Sequence, residues 1–377
     1  MSKLIMLTNS PGEIGGWFLP LAKIIKETYP AIDIIAILLP CQYASGTEYR
    51  VLLESGLFSR VIDRKELLKF LTAPDLDDKR KLILQLGGDP YWGTLLKIRL
   101  KSKLFIYSDS LVHTNRWADK ILLSDPRFSR GGENEVVVGN LILESIDRNL
   151  SVDGSAIAFL PGSRPYGLKL ILPLMLETAE ILKKTLDDSI KFIVSPFIPL
   201  ETLNRYVPVN FRLEGDKIIS GSGNVYILEY GGSWDWVRDV GLAINIPGTN
   251  TLQLALLGIP QITILPLQWA EYIPLEGMVE WISRIPLIGK PIKKRIIYRL
   301  IPKIRFVALP NIISKRKITE ELIMEVTPEF LAQKILELLN DQKRLDKMRE
   351  ELRSIDFLSG AGRNITDIIG EELCEQS

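Results

Sequence analysis

The sequence predicts an α/β protein of two domains, each built on an open, mostly parallel sheet. The chain has 377 residues, which exceeds the size at which one hydrophobic core usually keeps growing. Short β-rich runs alternate with amphipathic segments, as expected when crossover helices join parallel strands. The alternation restarts at residues 156–160 after a polar, glycine-containing stretch at 149–154. We therefore predict domains at residues 1–150 and 151–350, followed by a terminal segment at 351–377.

Ten runs have the composition of buried strands. In the first half they lie at residues 4–8, 32–39, 82–86, 104–107 and 136–138. In the second half they lie at residues 156–160, 191–195, 225–228, 242–245 and 261–265. The longest uncharged stretch, 240–270, contains Pro-Gly and Gly-Ile-Pro breakers, which suit a strand, loop, helix and strand better than a membrane span.

Composition excludes several classes of protein. The 47 Lys and Arg balance 46 Asp and Glu, so a general affinity for nucleic acid is not expected. Cys41 and Cys374 suggest neither a disulfide framework nor a cysteine zinc site, and a reducing, cytoplasmic compartment fits. His113 is the only histidine, which excludes a multi-histidine metal site. We expect no metal and no cofactor.

Glycine loops that follow strands are where open α/β sheets bind ligands. Gly162, Ser163 and Arg164 follow the predicted strand 156–160 and precede a helix predicted at 168–186. Free backbone N–H groups and the helix dipole favour an anion there, and an arginine fork suits a diphosphate. The alternative is a tight turn with a surface arginine.

A second such loop follows the predicted strand 242–245. Gly248 allows close backbone approach, and Thr249 and Thr251 offer hydroxyls at a helix start. The alternative is ordinary helix capping by threonine. Two helix amino termini suited to bind anions in one domain suggest a binding site for a nucleotide diphosphate. Neither loop is a Walker A or GxGxxG sequence.

Two carboxylates in the first half are candidates for acid or base chemistry. Asp89 follows the predicted strand 82–86 in a Gly-Gly-Asp-Pro turn, and partial burial can move the pKa of such a group toward working pH. The alternative is an aspartate that caps a local N–H. Glu13, in the glycine loop at 10–16, is the weaker candidate.

Residues 281–306 contain eight basic residues and no acidic one. Basic side chains mixed with large apolar ones fit a surface that faces anionic lipid. The residues predicted to face the membrane are Trp281, Lys293, Lys294, Arg295 and Arg299. The alternative is a solvated basic face on an amphipathic helix.

The order of motifs resembles the lipid-A-disaccharide synthase family. Residues 159–164 match its Leu-Pro-Gly-Ser-Arg loop, residues 247–253 resemble its Ser-Gly-Thr loop, and residues 309–322 resemble its Leu-Pro-Asn, Gly-Arg and Glu-Leu segment. The family makes a glycolipid disaccharide from a UDP-linked acylated glucosamine and a lipid monosaccharide phosphate. The resemblance implies the GT-B fold, in which two Rossmann-like domains have parallel sheets facing a central cleft and the terminal helix crosses back to the first domain.

The resemblance also implies roles for individual residues. Asp89 would be the base that activates the acceptor hydroxyl. The acceptor side would include Gly12, Gly15 and Gly16. The residues implied to bind the nucleotide sugar are Gly162, Ser163, Arg164, Gly248, Thr249, Asn250, Gln253, Asn311 and Arg316. Most departures from the family pattern fall in the acceptor half, where Gly12-Glu13-Ile14-Gly15-Gly16-Trp17 replaces Gly-Glu-x-Ser-Gly-Asp.

The expectation is an inverting glycosyltransferase that moves a sugar from a UDP-sugar to a lipid or lipid-linked acceptor. It would be cytoplasmic and peripheral on the inner face of the plasma membrane, with a homodimer left open. One alternative is a UDP-sugar epimerase of the same architecture. Another is a noncatalytic, membrane-associated protein that binds a nucleotide sugar.

Overall fold

The computed structural model describes residues 2–41, 44–74, 76, 80–109, 116–187, 189–232, 234–272 and 289–374, with backbone alone at 165–166 and 289–292. The chain divides into two compact units. Unit 1 contains Met1–Ile146 and Asp356–Ser377, and unit 2 contains Asp147–Ile355.

Unit 1 contains a parallel sheet of seven strands. They are β1 (Lys3–Thr8), β2 (Asp33–Leu38), β3 (Arg60–Ile62), β4 (Lys81–Gln85), β5 (Lys103–Ser108), β6 (Lys120–Leu123) and β7 (Glu135–Val137). Their order across the sheet is β3-β2-β1-β4-β5-β6-β7. The central strands are almost entirely apolar and buried because helices cover both faces of the sheet.

The helices of unit 1 connect successive strands and return the chain to the amino edge of the sheet. They are α1 (Pro11–Glu13), α2 (Leu19–Thr28), α3 (Glu48–Glu54), α4 (Leu67–Thr72) and α5 (Tyr91–Leu100), with a π-helical stretch at Ile14–Phe18 and 3-10 turns at Pro126–Phe128 and Leu141–Ser145. The terminal helix, Ala361–Leu373, also belongs to this unit, where the Gly362 N–H donates to Glu144 Oε1 at 3.0 Å.

Unit 2 contains a mixed sheet of eight strands. They are β8 (Ala156–Leu160), β9 (Ile190–Val194), β10 (Phe211–Glu214), β11 (Lys217–Ser220), β12 (Val225–Tyr230), β13 (Val240–Asn245), β14 (Gln261–Pro266) and β15 (Glu320–Met324). Their order is β10-β11-β12-β9-β8-β13-β14-β15. The pairs β10–β11 and β11–β12, at one edge of the sheet, are antiparallel, and the other pairs among the described strands are parallel.

The helices of unit 2 pack on both faces of its sheet. They are α6 (Pro165–Leu182), α7 (Leu200–Tyr206), α8 (Thr249–Leu256), α9 (Gly289–Leu300), α10 (Leu309–Ser314), α11 (Pro328–Leu339) and α12 (Gln342–Arg353), with 3-10 turns at Asp235–Val237, Leu267–Tyr272 and Ile301–Lys303; the terminal helix of unit 1 is α13. None of the helices in the described ranges has the length and apolarity that a membrane crossing requires.

Each sheet reverses its strand order at one point. In unit 1 the reversal lies between β1 and β4, and in unit 2 between β8 and β13. Ligands of open α/β sheets bind beyond the carboxyl ends of the strands at such points. The two reversals therefore mark where a site is expected in each unit.

The predicted α/β class is confirmed, and all ten predicted strands are present with ends shifted by at most two residues. The structure contains five further strands, namely β3, β6, β10, β11 and β15. The helix predicted at 168–186 is found at Pro165–Leu182, because Pro165 supplies the fixed φ of a first helical residue.

Candidate functional site

The two anion-binding turns predicted in unit 2 lie side by side. They leave neighbouring parallel strands whose last residues, Leu160 and Asn245, are register partners. A Cβ placed on Gly162 would lie 2.5 Å from Ile246 Cδ1. Both turns therefore open onto one edge of the sheet, at the point where its strand order reverses.

The first turn is tight and ends in a long helix. Gly162 has a φ of +98°, which side chains disfavour. A Cβ on Gly167 would lie 2.4 Å from the Pro161 carbonyl oxygen, so the first turn of α6 packs against the turn that precedes it. Ser163 and Arg164 are partly exposed just before the amino end of this helix. The helix dipole and the guanidinium both favour an anion at this position.

The second turn starts α8 at Thr249, with Gly248 as its N-cap. The Thr251 hydroxyl donates to the Gly248 carbonyl oxygen at 2.8 Å and accepts from the Leu309 N–H at 3.0 Å. Thr249 and Asn250 are partly exposed, whereas Gln253 is 5% exposed. The exposed first turn is thus the part of α8 that can approach a ligand.

Buried side-chain amides on β13 and β14 hold this second turn in place through hydrogen bonds. Gln261 Nε2 donates to the Thr251 carbonyl oxygen at 2.8 Å, and Asn245 Nδ2 donates to Gln261 Oε1 at 2.6 Å. Thr263 Oγ1 donates to Asn245 Oδ1 at 2.8 Å. Because all of these groups are buried and hydrogen-bonded, the network holds the start of α8 in one position.

Asn311 and Arg316, predicted to contact the donor, are engaged in contacts within unit 2. Asn311 is fully buried: its Oδ1 accepts from the Ile318 and Thr319 N–H groups, and its Nδ2 donates to the Thr319 carbonyl oxygen and to Glu321 Oε1. Arg316 pairs with Glu351 on α12 at 2.7 Å. Asn311 therefore holds the segment around α10 in place instead of presenting its amide to solvent.

Glu321 is a residue that the motif comparison did not single out for function. Its Oε1 also accepts from the Val307 and Ala308 N–H groups, at 3.0 Å and 2.7 Å. This carboxylate therefore anchors the segment that donates to Thr251 through Leu309. Its sequence signal is its place in the Glu-Leu pair that ends the family-like segment 309–322.

In unit 1 the Glu13 carboxyl lies at the reversal between β1 and β4. The Ser10 N–H donates to Glu13 Oε2 at 3.4 Å, and a Cβ on Gly87 would lie 2.0 Å from that oxygen. Burial raises the pKa of Glu13 to about 8, hydrogen bonds from Ser10 and Asn9 oppose the rise, and the charge of Asp109 adds to it. A carboxyl group whose pKa lies near the working pH is suited to proton transfer.

Asp89, predicted to be the base, is exposed beyond β4. Its Oδ1 accepts from the Tyr91 N–H at 3.0 Å. This is the local cap that was the alternative interpretation of the Asp-Pro turn. Gln85 Nε2 donates to the Gly87 and Asp89 carbonyl oxygens at 3.0 Å and 2.9 Å and so fixes the turn that carries Asp89.

Other polar groups of this edge were not predicted. In the described part of the chain, Thr8 Oγ1 and Asn9 Oδ1 are buried and have no hydrogen-bond partner. Asp109, directly after β5, is close enough to raise the pKa of Glu13. Thr8, Asn9 and Asp109 lie at the end of a central strand or directly after one. That position is the only sequence signal that could have identified them.

The predicted acceptor-side glycines lie on the helical segment that leaves β1. Gly12 is partly exposed, Gly15 is exposed and Gly16 is buried. Gly15 and Gly16 belong to the π-helical stretch, and such stretches often occur at functional sites. Within it the Trp17 indole N–H donates to the Leu86 carbonyl oxygen at 2.7 Å, which joins this stretch to the end of β4.

The residues predicted to face the membrane differ in their exposure to solvent. Trp281 lies outside the described residues, as does His113. Lys293 is 2% exposed, so its prediction as a membrane-facing residue was wrong: α9 turns this position inward. Lys294 reaches the Gln268 carbonyl oxygen at 3.4 Å. Arg295 and Arg299 are exposed.

Two Rossmann-type sheets, each with polar groups at its reversal point, define an α/β protein of the GT-B type. The chain is 13% identical to MurG of Acinetobacter baumannii (TM-score 0.52, 98% of this chain and 99% of that one). It is 12% identical to the UDP-GlcNAc 2-epimerase of Neisseria meningitidis bound to UDP-GlcNAc (TM-score 0.55, 100% of both chains). These likenesses concern the fold.

Sequence comparison identifies the chain as a divergent relative of the lipid-A-disaccharide synthases. It is 29% identical over 204 residues to the synthase of Anaeromyxobacter dehalogenans, which covers 53% of this chain and 44% of that protein. The chain thus spans about half the length of the relatives it matches. No protein-family model matches it.

Proposed function

We propose that this protein is an inverting, metal-independent glycosyltransferase that moves a sugar from a UDP-sugar to a lipid or lipid-linked acceptor. The observation that carries the proposal is the pairing of the Gly162–Arg164 and Gly248–Thr249 turns at the reversal point of the unit 2 sheet. Two helix starts on one edge offer backbone N–H groups to two neighbouring phosphates.

The donor diphosphate would lie across these two turns. Arg164 would pair with it as a planar, permanently charged fork, and the N–H groups at the starts of α6 and α8 would face its oxygens. The same groups would stabilise the charge that develops on UDP as it leaves. The buried network beneath Thr251 supports this role because it keeps the donors in place before the reaction.

The acceptor would be activated in unit 1. The acceptor O–H proton passes to an ionised carboxylate, the oxygen forms a bond to the anomeric carbon, and the sugar–phosphate bond breaks with its electrons leaving on UDP. Two carboxylates are candidates. The partly buried position of Glu13 and its raised pKa favour it as the proton acceptor, whereas the exposure of Asp89 and its hydrogen bond from Tyr91 favour a role in shaping the turn.

Contact with a membrane would bring a lipid acceptor to the enzyme. Exposed basic and large apolar side chains lie together on α9 and the segment after it: Arg295, Tyr298, Arg299, Leu300, Ile304 and Arg305. This mixture suits an anionic lipid surface at the inner face of the plasma membrane. The membrane-facing surface proposed here excludes the buried Lys293.

Transfer to lipid is the direct test. Purified protein is incubated with radiolabelled UDP-sugars and membrane lipids from the cells that express it, in the presence of EDTA, and the products are separated. The proposal predicts labelled lipid and released UDP with the wild-type protein and loss of both with Glu13→Gln. A labelled, altered UDP-sugar formed without lipid would instead identify an epimerase, and labelled UDP-sugar that is bound but unchanged would identify a noncatalytic binding protein.

A further inference from the structure

Acidic side chains lie at the reversal point of the unit 1 sheet. In the described part of the chain, the central strands β2, β1, β4 and β5 lead into residues 39–41 and 44–47, 9–18, 86–90 and 109. These residues include Glu13, Asp89 and Asp109 and no Lys or Arg. Because they leave adjacent parallel strands, they share one edge of the sheet, which therefore carries acidic groups and no basic residue among those described.

Two arginines that lie close to these strands in the sequence have other contacts. The Arg64 guanidinium, directly after the outer strand β3, pairs with the buried Glu48 carboxylate at 3.1 Å. The Arg116 guanidinium, between β5 and β6 in the sequence, lies 5.1 Å from the centre of the Trp117 ring. A phosphate at this edge would thus find carboxylates where it needs a cation.

Two polar atoms at the same edge can accept hydrogen bonds from a ligand. Thr8 is 0% exposed and ends β1, and Thr8 Oγ1 has no partner within the described residues. The same holds for Asn9 Oδ1, whose side chain packs by the Gly88 backbone at the end of β4. Buried polar groups without partners are rare in folded proteins, and a bound molecule or a water completes such positions.

We propose that the acceptor group bound at this edge is uncharged and bears hydroxyls, as in a lipid with an unphosphorylated sugar head, and that phosphorylated acceptors are rejected. The inference deepens the proposed function and rests on it. It departs from the lipid monosaccharide phosphate that the family resemblance implied. Hydroxyls can donate to Thr8, Asn9 and the carboxylates, whereas the charges of Asp89 and Asp109 would repel a phosphate.

The raised pKa of Glu13, the proposed base, also favours an uncharged acceptor. Burial and the Asp109 charge already raise the pKa of Glu13 to about 8. A phosphate dianion next to it would raise that pKa further, because like charges disfavour ionisation. The carboxyl would then stay protonated and could not accept the acceptor proton. A neutral acceptor leaves Glu13 able to ionise near working pH.

The experiment uses two fractions of the same lipid extract. Membrane lipids are separated by anion exchange into neutral and phosphorylated fractions, and each is incubated with the protein and labelled UDP-sugar. We expect at least about tenfold more labelled lipid from the neutral fraction. Most label from the phosphorylated fraction would overturn the inference. No label from the unfractionated extract would instead reject glycosyl transfer itself.

A charge variant gives an independent check. Asp109→Asn removes one negative charge without changing the size of the side chain. With a matched pair of acceptors, an acylated glucosamine and its 1-phosphate, the variant is expected to raise the relative kcat/KM for the phosphate severalfold. The control Glu27→Gln, which removes an exposed charge at the far end of α2, should leave the ratio unchanged. An unchanged ratio in Asp109→Asn would contradict the inference.

Discussion

Glu13 and Gly87 pack so closely that a side chain at position 87 would displace the Glu13 carboxyl. A Cβ there would lie 2.0 Å from Glu13 Oε2 and 2.9 Å from Oε1. The glycine after β4 thus lets the carboxyl that leaves β1 lie across the reversal point of the sheet. The Gly87-Gly88-Asp89 turn was predicted to matter for its aspartate. It also provides the space that the Glu13 side chain occupies.

Gly87→Ala should therefore displace the Glu13 carboxyl. We expect the rate of sugar transfer to fall by about tenfold or more, since small misplacements of reacting groups cost this much. UDP affinity should be unchanged because its proposed site lies in unit 2. The matched control is Gly232→Ala, where nothing lies within 4 Å of the added Cβ. Equal rates for both variants would show that the position of Glu13 does not matter.

The rate of transfer should depend on pH through Glu13. A base must be ionised, and burial raises the pKa of Glu13 to about 8. Below that pH the ionised fraction grows about tenfold per unit, so kcat/KM should rise with this slope and level off above about pH 8. Glu13→Gln should remove the rise together with most of the activity. A wild-type profile that falls as pH rises would assign Glu13 the role of an acid.

Asn311 and Arg316, paired in the motif comparison, should differ in their effect on stability. Asn311→Ala leaves the buried Ile318 and Thr319 N–H groups unpaired, which should lower the free energy of unfolding by about 2–4 kcal/mol. The melting temperature should fall by roughly 5–10 °C. Arg316→Ala breaks a partly exposed ion pair and should cost under about 1 kcal/mol. Thermal melts that rank the two variants the other way would contradict the role given to Asn311.

Membrane contact should depend on the exposed arginines of α9. Reversing the charge of Arg295 and Arg299 to Glu should weaken binding to anionic vesicles by about tenfold or more, at about 1 kcal/mol per basic residue. Co-sedimentation with vesicles of mixed neutral and anionic phospholipid measures this. The control reverses Arg205 and Arg212, which are exposed elsewhere in unit 2. Identical sedimentation of the two variants would count against the proposed surface.

Much of the fold could be predicted because buried parallel strands are nearly continuous apolar runs. Most of the strands that escaped prediction lack this signal, and the exception is the short apolar β6. β3 has only three residues, Arg60–Ile62, and β15 begins with two glutamates. The strands β10 and β11 form an edge hairpin with alternating exposure, which a search for fully buried runs does not detect.

The site could be predicted only in part, because several of its properties depend on tertiary contacts. The position of the turn at Gly162 follows from strand order and helix starts. The raised pKa of Glu13 does not, since it arises from burial and from Asp109, which is 96 positions away. The basic run at 281–306 likewise could not show that Lys293 faces inward, because a continuous run of charge does not indicate which residues of a helix are buried.

The central claim is that the turns at Gly162–Arg164 and Gly248–Thr249 together hold a diphosphate. Titration calorimetry with UDP in the presence of EDTA tests it on the wild-type protein, Arg164→Ala and the control Arg212→Ala, which changes an exposed arginine of the edge strand β10. We predict binding by the wild type and by Arg212→Ala, and an affinity at least about tenfold weaker in Arg164→Ala. No heat with the wild type, or equal affinity in all three proteins, would contradict the assignment.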